Sequence, residues 1–521
     1  MGKGLTLTGN IPPVVRPKHL IPVSAEKLAS AVPFSIVGDL TGVLVSGLSV
    51  ATREIEPGDA FVAMLGLNHH GAKFAEDAAK AGASLLITDS AGAKLAADAG
   101  LPMLICDDPR GALGEISRFV YRTSEATPLL FGITGTNGKT STAYLLEGIL
   151  RQLGRVTGLS STAERHIAGN TYISRLTTPE ASELHALVRC MKEAEVDSVV
   201  IEVSAQAMTH HRVDGVVFDT VGFTNLSHDH LDDYADMDEY FEAKAKLFTT
   251  EHAKRGVISL DTEWGKKLVE KSEIPVTTIT SEVGVDADWI VKVTEDNPAY
   301  TAFTLSNRAG FEFQTREPVI GRQMAANAGL AIAMLVDAGF ELSEIESVLT
   351  RDNGITAYLP GRTEKVSGNT GPNVYVDFGH SPDAFEHTLD AVRRVTKGKT
   401  IMLFGADGDR DATKRFDMGR IAAEGCDILV ITDHHPRFED PTSIRAQLMV
   451  GAKSVKNGPE IHEVSPPEDA IRVAVSLAGP GDSILWAGPG HQNYRDIRGV
   501  RTEYSARDLA RQALKDAGWA N

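Results

Sequence analysis

The sequence has few cysteines, no long apolar run and no excess of positive charge. Its three cysteines, Cys106, Cys190 and Cys426, are far apart and form no Cys-x-x-Cys pair. We therefore expect buried packing cysteines in a reducing cytosol rather than a disulfide framework or a zinc site. No segment approaches the ~20 apolar residues of a membrane helix, and residues 1–22 lack the apolar core of a signal peptide. These absences predict a cytoplasmic protein with no membrane partner.

The charge balance argues against a nucleic-acid partner. The chain has 52 lysines and arginines against 70 aspartates and glutamates, a formal net charge of −18. Proteins that bind polyanions rely instead on clustered basic residues. At 521 residues the chain exceeds what one hydrophobic core usually serves, so about three domains are expected. We also expect a monomer, although no motif in the sequence bears on this.

Apolar strands alternate with helical patterns along most of the chain. Strands are predicted at 84–88, 102–106, 129–133, 198–203, 220–225, 374–377, 400–404 and 428–432, and helices at 73–81 and 325–338. Apolar strands separated by helices are typical of a parallel sheet covered on both faces. With a linker at 124–128 and a polar hinge at 353–361, the expected class is α/β with three domains. These are 1–125, a small α/β domain, 126–358, a central P-loop-type parallel sheet, and 359–521, a Rossmann-like domain.

The most informative segment is a glycine-rich turn between a strand and a helix. It reads GITGTNGKTST over 132–142, and an amphipathic helix is predicted to start at 143–150. Such a turn directs backbone N–H groups at a polyphosphate, while Lys139 reaches the outer phosphates and the Thr140 hydroxyl faces a magnesium ion. The common P-loop spacing requires glycine at 133, where this chain has Ile133. The segment is therefore a variant phosphate loop.

Polar residues also follow two other predicted strands. Glu202 lies near the end of one strand, and His230 lies in the run after the next. Ligands of open α/β sheets gather at the carboxyl ends of the strands, so these residues and Thr140 are expected to share one rim. A carboxylate and an imidazole beside the loop threonine can complete magnesium coordination. The alternatives are a capping or ion-paired Glu202 and a satisfied loop histidine at 230.

Several motifs together resemble the Mur ligases of peptidoglycan synthesis. They are TGTNGKT at 134–140, EVS at 202–204, FTNLS at 223–227 and DHLD at 229–232, within the three-part layout. The resemblance runs nearly end to end. It implies an ATP-dependent amide ligase that adds the third amino acid, a diamino acid, to UDP-N-acetylmuramoyl-L-alanyl-D-glutamate through an acyl phosphate. Such an enzyme would serve cell-wall biogenesis, cell shape and cell division.

The resemblance also implies ATP and Mg²⁺ as cofactors and assigns roles to particular residues. ATP contacts are expected from Gly135, Thr136, Asn137, Gly138, Lys139, Thr140, Ser141, Asn327, Arg362 and Asp377. The expected magnesium ligands are Thr140, Glu202, His230 and Lys244, the last as a carbamate (N6-carboxylysine). Lys139, His230, Lys244 and Arg362 are the expected catalytic residues. The UDP-muramoyl dipeptide is expected at Thr52, Arg53, Thr177, Thr178, Ser204, His210 and Arg212. The free amino acid is expected at Arg415, His434, His435, Arg437, Gly488 and Gln492.

The amino-acid pocket departs from that of relatives that add meso-diaminopimelate. Their Asp-Asn-Pro-Arg segment reads HHPR at 434–437 here, and their Gly-Lys-Gly-His-Glu segment reads GPGHQ at 488–492. The retained Arg437 favours a diacid, whereas Gln492 has lost the charge that would attract a distal ammonium. Lysine, ornithine and meso-diaminopimelate therefore stay open. Adjacent histidines on an extended loop should point apart, and no third ligand is evident, so no metal site is predicted at His434 and His435.

Two other readings of the sequence stay open. A folate polyglutamate ligase would share the central and third domains, but Thr52-Arg53 and the PGDAFVA run at 57–63 favour a uridine nucleotide in the first domain. A non-catalytic paralogue would bind nucleotide or precursor and regulate. The substitutions at the selector positions motivate the paralogue, whereas Met324 and Gln206, where the family has asparagine and histidine, concern the adenine contacts and the fine geometry. The retained Lys139, Glu202, His230 and Lys244 oppose the paralogue.

Overall fold

The computed structural model describes residues 14–66, 68–125, 128–228 and 233–519. Within these ranges the chain forms three α/β parts in series, each built around its own sheet. The predicted α/β class with three parts is confirmed. Among the described residues, no helix is both long and apolar enough to cross a membrane.

The first part contains a five-stranded sheet in the order β2-β7-β6-β5-β4 and a small two-stranded sheet. Its apolar core lies between the larger sheet and the long helix α4. The elements are β1 (Val23–Ser24), α1 (Ala25–Leu28), β2 (Ser35–Val37), β3 (Leu44–Val45), β4 (Gly47–Ser49), β5 (Asp59–Ala63), α2 (Ala75–Lys80), β6 (Leu85–Thr88), α3 (Ser90–Leu95), β7 (Met103–Ile105) and α4 (Pro109–Tyr121).

The central part is built on an eleven-stranded sheet in the order β11-β10-β9-β12-β8-β13-β14-β15-β16-β17-β18. Its elements are β8 (Leu129–Thr134), α5 (Lys139–Gln152), β9 (Thr157–Ser160), β10 (Glu164–Ile167), β11 (Asn170–Ile173), α6 (Ala181–Glu193), β12 (Ser198–Glu202), α7 (Ala205–Thr209), β13 (Thr220–Phe223), α8 (Met237–Ala245), β14 (Gly256–Ser259), α9 (Glu263–Lys271), β15 (Val276–Thr280), β16 (Trp289–Asn297), β17 (Tyr300–Asn307), β18 (Glu312–Glu317), α10 (Arg322–Asp337) and α11 (Leu342–Arg351). In this spatial order, the seven strands β9-β12-β8-β13-β14-β15-β16 pair in parallel. The strands β10 and β11 at one end of the sheet, and β17 and β18 at the other end, pair antiparallel.

The third part has a six-stranded sheet in the order β19-β20-β24-β21-β22-β23 and a terminal hairpin. All neighbouring pairs except β19 with β20 are parallel. Its elements are β19 (Glu364–Lys365), β20 (Asn373–Asp377), α12 (Pro382–Val395), β21 (Thr400–Phe404), α13 (Arg415–Gly425), β22 (Ile428–Ile431), α14 (Pro441–Lys453), β23 (Glu460–Glu463), α15 (Pro467–Ser476), β24 (Ser483–Ala487), β25 (Tyr494–Ile497), β26 (Val500–Glu503) and α16 (Ala506–Asp516).

The sheet topology determines where the site lies, because the loops that follow parallel strands lie at the same edge of a sheet. In the central sheet, β8 lies between β12 and β13, so the loops after these three strands are neighbours. In the third part, the loops after β20, β24, β21 and β22 share one edge in the same way. Crevices outside the carboxyl ends of strands are where open α/β sheets bind ligands.

Helix α5 differs from the sequence prediction of an amphipathic helix. Every residue from Thr140 to Leu150 is buried. The cause is tertiary, because α5 packs against α10 and α11 as well as the strands of the central sheet. A helix covered on all sides needs no polar face, and Gly148 allows the chain at Thr356 and Ala357 to approach closely.

Candidate active site

The phosphate loop is a strained turn held by glycine and by neighbouring polar residues. Gly135 has φ +147°, and a Cβ atom there would lie 1.9 Å from the Thr224 hydroxyl. Gly138, with φ +86°, caps α5 and packs against the Asn327 side chain. The Asn137 N–H donates to the Asn225 side-chain oxygen at 3.0 Å. Only glycine fits the two tight positions, so the loop's shape follows from its sequence.

Two lysines direct their ammonium groups at carbonyls of this loop. Lys139 Nζ donates to the Gly135 and Thr136 carbonyls, both at 2.8 Å. Lys244 is buried on α8, and its Nζ also donates to Gly135 at 2.8 Å while lying 4.4 Å from the Tyr240 ring centre. The predicted carbamate on Lys244 stays a prediction, with the amine placed beside the loop.

The donor set next to the loop fits a hard divalent cation. Thr140 and Glu202 both border the cleft, and both offer oxygen ligands of the kind that Mg²⁺ prefers. Glu202 is fully buried and accepts hydrogen bonds from the N–H and hydroxyl of Thr162 at 2.9 and 3.1 Å. These contacts orient the carboxylate, which keeps further lone pairs for a metal. His230, the third predicted ligand, lies outside the described residues.

Arg362 enters the same cleft from the segment that links the central and third parts. Its Nη2 donates to the Thr140 hydroxyl at 3.0 Å, and its guanidinium lies over the Phe378 ring at 4.5 Å. Burial lowers the pKa of Arg362 from its ordinary value. A charged group held this way in a desolvated cleft is well placed to neutralise a phosphoryl group.

Asp377 holds the segment that carries Arg362, and both of its carboxylate oxygens already accept hydrogen bonds from the protein. Its Oδ2 accepts from the Thr363 N–H at 2.7 Å, and its Oδ1 accepts from the Gly379 N–H at 2.6 Å. Thr363 has φ +43°, a conformation that needs such support in a non-glycine residue. The expected ATP contact of Asp377 is thus accompanied by a structural role.

A direct contact joins the phosphate loop to the third part of the chain. Asp383, in the first turn of α12, accepts from the Asn137 side-chain amide at 2.8 Å and from the Ser227 hydroxyl at 3.1 Å. The helix begins here because Ser381 caps it and Pro382 suits its first turn. The two strand-end rims therefore face each other across one cleft.

Of the residues predicted to bind the UDP-muramoyl dipeptide, only some border this cleft. Those that do are Arg53, Thr177 and Ser204, and those that do not are Thr52, Thr178, His210 and Arg212. Thr178 is fully buried, donating to the Glu202 carbonyl at 2.7 Å and accepting from the Ser204 N–H at 3.1 Å. Arg212 is engaged by Glu180 at 3.0 Å. Thr178 thus holds the backbone at Glu202, which borders the cleft, and Arg212 pairs with Glu180 outside it.

The predicted amino-acid residues also divide into two groups. Arg437, His434, Gly488 and Gln492 border the cleft. Arg415, in contrast, is 1% exposed and its guanidinium is bound by Glu439 at 2.8 and 3.0 Å. The structure therefore does not bring Arg415 to the cleft, because α13 turns it into the domain interior against the Glu439 carboxylate. His435 does not border the cleft either, because its ring is buried against Gln492 and the Asp496 N–H.

The structure overturns the expectation that His434 and His435 point apart. Their ring centres are 4.1 Å apart, and Asp407 adds a third ligand-type atom within 4.8 Å. His435 nevertheless has no nitrogen left for a metal: Nδ1 accepts from the Asp496 N–H at 3.0 Å, and Nε2 contacts the Gln492 side-chain oxygen at 2.7 Å. His435 thus accepts at Nδ1 and contacts Gln492 through Nε2, and these two contacts fix the Gln492 side chain.

Burial keeps the other two histidines of this region neutral. Burial is the main cause that lowers the pKa of His434 to about 3, and it likewise lowers the pKa of His491 to about 3. For His491 the nearby Arg362 adds to the effect, and its ring packs on Phe378. The pocket thus offers neutral imidazoles at neutral pH.

The phosphate loop, Glu202, Arg362, Asp383 and Arg437 line one cleft of about 1480 Å³ to which all three parts of the chain contribute. Several of its residues were missed by the sequence interpretation, which gave no role to Thr162, Asp383, Asp407 or His491. His491 lies inside the GPGHQ segment at 488–492, so its residue type was visible. The partners of these residues, however, are distant in sequence.

Three family models match the chain, one in each part. They are the Mur ligase family catalytic domain over 44–121, the Mur ligase middle domain over 133–335 and the Mur ligase glutamate ligase domain over 361–490. A UDP-N-acetylmuramyl-tripeptide synthetase of Leifsonia xyli subsp. xyli is 53% identical over 98% of this chain and 100% of its own length. The chain belongs to the Mur ligase family.

Other Mur ligases extend this likeness at lower identity. A UDP-N-acetylmuramoyl-L-alanyl-D-glutamate--2,6-diaminopimelate ligase of Streptomyces avermitilis is 41% identical over 90% of this chain and 92% of that protein. A solved structure with the same enzyme name matches with a TM-score of 0.67 and 25% identity, covering 96% of this chain and 100% of that one. The predictions of an ATP-dependent amide ligase and of a place in peptidoglycan synthesis are confirmed.

The folate ligases share the fold of this Mur ligase. The structure of E. coli FolC in complex with DHPP and ADP matches with a TM-score of 0.57 and 19% identity over 78% of this chain and 93% of that one. The likeness at that identity concerns the fold alone. The first part of the chain, which matches its own Mur ligase model, separates the two readings.

Proposed function

We propose that this Mur ligase adds a diamino acid as the third residue of UDP-N-acetylmuramoyl-L-alanyl-D-glutamate, using ATP and Mg²⁺. One observation carries the proposal: a single cleft joins the phosphate loop, the Glu202 carboxylate, Arg362 and the loops that hold His434 and Arg437. A ligase of this kind needs a phosphate donor, an acid and an amine in one enclosed space, because the activated acid must meet the amine before water.

The first step transfers a phosphoryl group to the dipeptide. An oxygen of the free carboxylate attacks the γ-phosphorus of ATP, the bond to the β-phosphate oxygen breaks, and ADP leaves an acyl phosphate behind. Lys139 and Arg362 neutralise the transferring group, and the loop N–H groups between Gly135 and Ser141 hold the adjacent phosphates. The protein contributes position and charge rather than covalent chemistry.

The second step forms the amide. The amine nitrogen of the free amino acid attacks the acyl carbon, the carbon–oxygen bond to phosphate breaks, and phosphate and one proton are released. Asp383, in the third part of the chain, accepts a hydrogen bond from Asn137 Nδ2 of the phosphate loop at 2.8 Å, so the third part lies against this loop. Residues at that junction thus hold the amine donor opposite the acyl phosphate.

Thr140 and Glu202 would hold the magnesium ion, with His230 as the predicted further ligand. When bound, the ion supplies positive charge to the phosphate oxygens. The carbamate of Lys244, the domain limits at 125/126 and 358/359, the monomeric state and the cytoplasmic location remain part of this proposal. A cytoplasmic location is supported by the three reduced cysteines, which are all buried.

Phosphate release separates the candidate functions. The protein is given ATP, Mg²⁺ and the UDP-muramoyl dipeptide with lysine, ornithine or meso-diaminopimelate in turn, and in parallel a folate with glutamate. Release that requires both the dipeptide and a diamino acid is expected. Release only with folate and glutamate would support the folate ligase. Tight ATP binding without release in any mixture would support a non-catalytic paralogue.

A further inference from the structure

Asp407 is a partly buried carboxylate of the cleft that the proposed reaction does not yet use. It lies in the loop after β21 and borders the cleft together with Arg437 and Gln492. Among the described residues, its Oδ1 is buried and accepts no hydrogen bond. Leaving a buried carboxylate oxygen unsatisfied is costly, so a donor from a ligand is the natural complement.

The charge state of Asp407 suits a cationic partner. Burial works to raise the pKa of this carboxyl, but the positive charge around it, including the permanent charge of Arg437, outweighs burial and lowers the pKa below its ordinary value. Asp407 is therefore ionised at neutral pH. Its histidine neighbour at 3.7 Å, His434, is neutral there, because burial lowers the pKa of His434 to about 3.

Gln492 cannot supply this negative charge. It is uncharged, and its side-chain oxygen is already taken by His435 Nε2 at 2.7 Å. Of the acidic side chains that border the same region, Asp407 is the one beside His434 and Arg437. Gln492 carries no negative charge for a distal ammonium, and Asp407 in the loop after β21 carries one instead.

Arg437 is held in place as the partner of Asp407. Its φ is +50°, and its backbone is fixed by hydrogen bonds with Asp496 and Arg498 at 3.2 and 2.8 Å. In this conformation its Nη2 lies 3.8 Å from Asp407 Oδ2. A guanidinium binds a carboxylate bidentately either through Nη1 and Nη2 or through Nε and Nη2, so both arrangements use Nη2. A distal carboxylate bound there would therefore stand beside the like charge of Asp407, which is unfavourable.

We infer that Asp407 binds the distal ammonium of the incoming amino acid, and that its pairing with Arg437 selects a diamino acid with one carboxylate over a diamino diacid. This inference rests on the proposed function and names the substrate class of that site. The Nε atom of Arg437 is buried without a hydrogen bond within the described residues, so it can still donate to an acceptor of a bound ligand.

The test compares amino acids in the phosphate-release assay on the full chain with ATP and the UDP-muramoyl dipeptide. Lysine and ornithine carry a distal ammonium, norleucine carries none, and meso-diaminopimelate carries a distal carboxylate as well. The wild type is expected to show a higher kcat/KM with lysine or ornithine than with the other two.

Asp407→Asn is expected to lower kcat/KM for lysine by about 10- to 100-fold, the range for a hydrogen bond to a charged group. The same change should leave norleucine and the affinity for ATP within about threefold, because neither involves the distal charge. Asp516→Asn, the same substitution at an exposed position of α16, is the control and should match the wild type.

Two outcomes would overturn the inference while leaving the proposed function intact. The first is a wild type that prefers meso-diaminopimelate. The second is an equal loss with lysine and norleucine in Asp407→Asn, which would show that Asp407 only supports the loop. Failure of every amino acid to release phosphate from the wild type would instead overturn the proposed function.

Discussion

Two histidines, one beside the helix that follows the phosphate loop and one in the amino-acid pocket, lie in contrasting electrostatic surroundings. His166, on β10 behind the phosphate loop, contacts Glu147 at 2.9 Å and Glu164 at 3.3 Å. Burial opposes its protonation, but these carboxylates raise the pKa of His166 to about 9. His434, in the amino-acid pocket, is kept neutral because burial lowers its pKa to about 3. An ion-pair cluster therefore lies beside the helix that follows the phosphate loop, whereas the amino-acid pocket contains a neutral imidazole.

The polar atoms of the two ends show the same contrast. At the phosphate loop, Lys139 donates to the carbonyls of Gly135 and Thr136. In the amino-acid pocket, Asp407 Oδ1 and Arg437 Nε have no hydrogen bond within the described part of the chain. Lys139 is thus engaged within its own loop, whereas Asp407 and Arg437 keep hydrogen-bonding capacity for a ligand, as does Arg362 Nη1 at the phosphate end.

The largest effect is expected from Lys139→Ala at the phosphate end. Removing a charge aimed at the transferring phosphoryl group should reduce kcat by about 10³-fold with every amino acid. Lys266→Ala, an exposed lysine of α9 paired with Glu263, serves as the control. Phosphate release measures both variants. If Lys139→Ala keeps more than about a tenth of the wild-type activity, Lys139 does not neutralise the transferring phosphoryl group as proposed.

At the amino-acid end, acid should destabilise the protein through His434. A histidine whose folded pKa is depressed to about 3 binds a proton more readily when unfolded, so stability falls as pH drops below 6.5. By pH 4 the loss is on the order of 3 kcal/mol as an upper bound. In His434→Asn this loss should be absent. Calorimetric transition midpoints of both proteins between pH 4 and 7 measure the difference, and parallel curves would contradict it.

At the phosphate end, the pH effect should have the opposite sign. The raised pKa of His166 gives stability that is fully present below pH 6.5 and is lost as pH rises through about 9. The loss is on the order of 2 kcal/mol. His166→Gln should be less stable than the wild type at pH 6 and should approach it by pH 10. A constant difference across that range would show that His166 contributes packing rather than charge.

The smallest effect is expected from Arg437→Ala with lysine as substrate. If Arg437 serves mainly as the partner of Asp407, its removal should change kcat/KM for lysine by less than about fivefold, or about 1 kcal/mol. Any activity with meso-diaminopimelate should fall further, and the affinity for ATP should stay unchanged. Equal losses in kcat/KM for the amino acid and in the affinity for ATP would show that Arg437 does not act in the amino-acid pocket.

The phosphate loop was predictable because its information is local. A strand, two glycines at tight positions and a helix N-terminus are contiguous in the chain, and Gly135 and Gly138 have the positive φ that the motif requires. Helix α5 was placed correctly, but its amphipathic character was not. Its polar residues are buried by α10 and α11, whose approach no pattern within 139–152 records.

The pocket residues were less predictable because their roles depend on partners far away in sequence. Arg415 has the residue type of a carboxylate receptor, but Glu439, which arrives from the loop before α14, takes its guanidinium. The histidine pair was expected to point apart, yet the neighbouring loops stack its rings and lock His435 onto Gln492. Motif spacing gave residue types here, not their contacts.

The sequence by itself determined the α/β class, the ligase family and the phosphate loop, since each depends on the order of neighbouring residues. Only the tertiary structure decided which charges remain for a ligand. Asp407 and Arg437 lie 30 residues apart on different loops, and whether their charges cancel or act on a substrate depends on a 3.8 Å approach. Electrostatic energy varies with distance and burial, and both are properties of the folded chain.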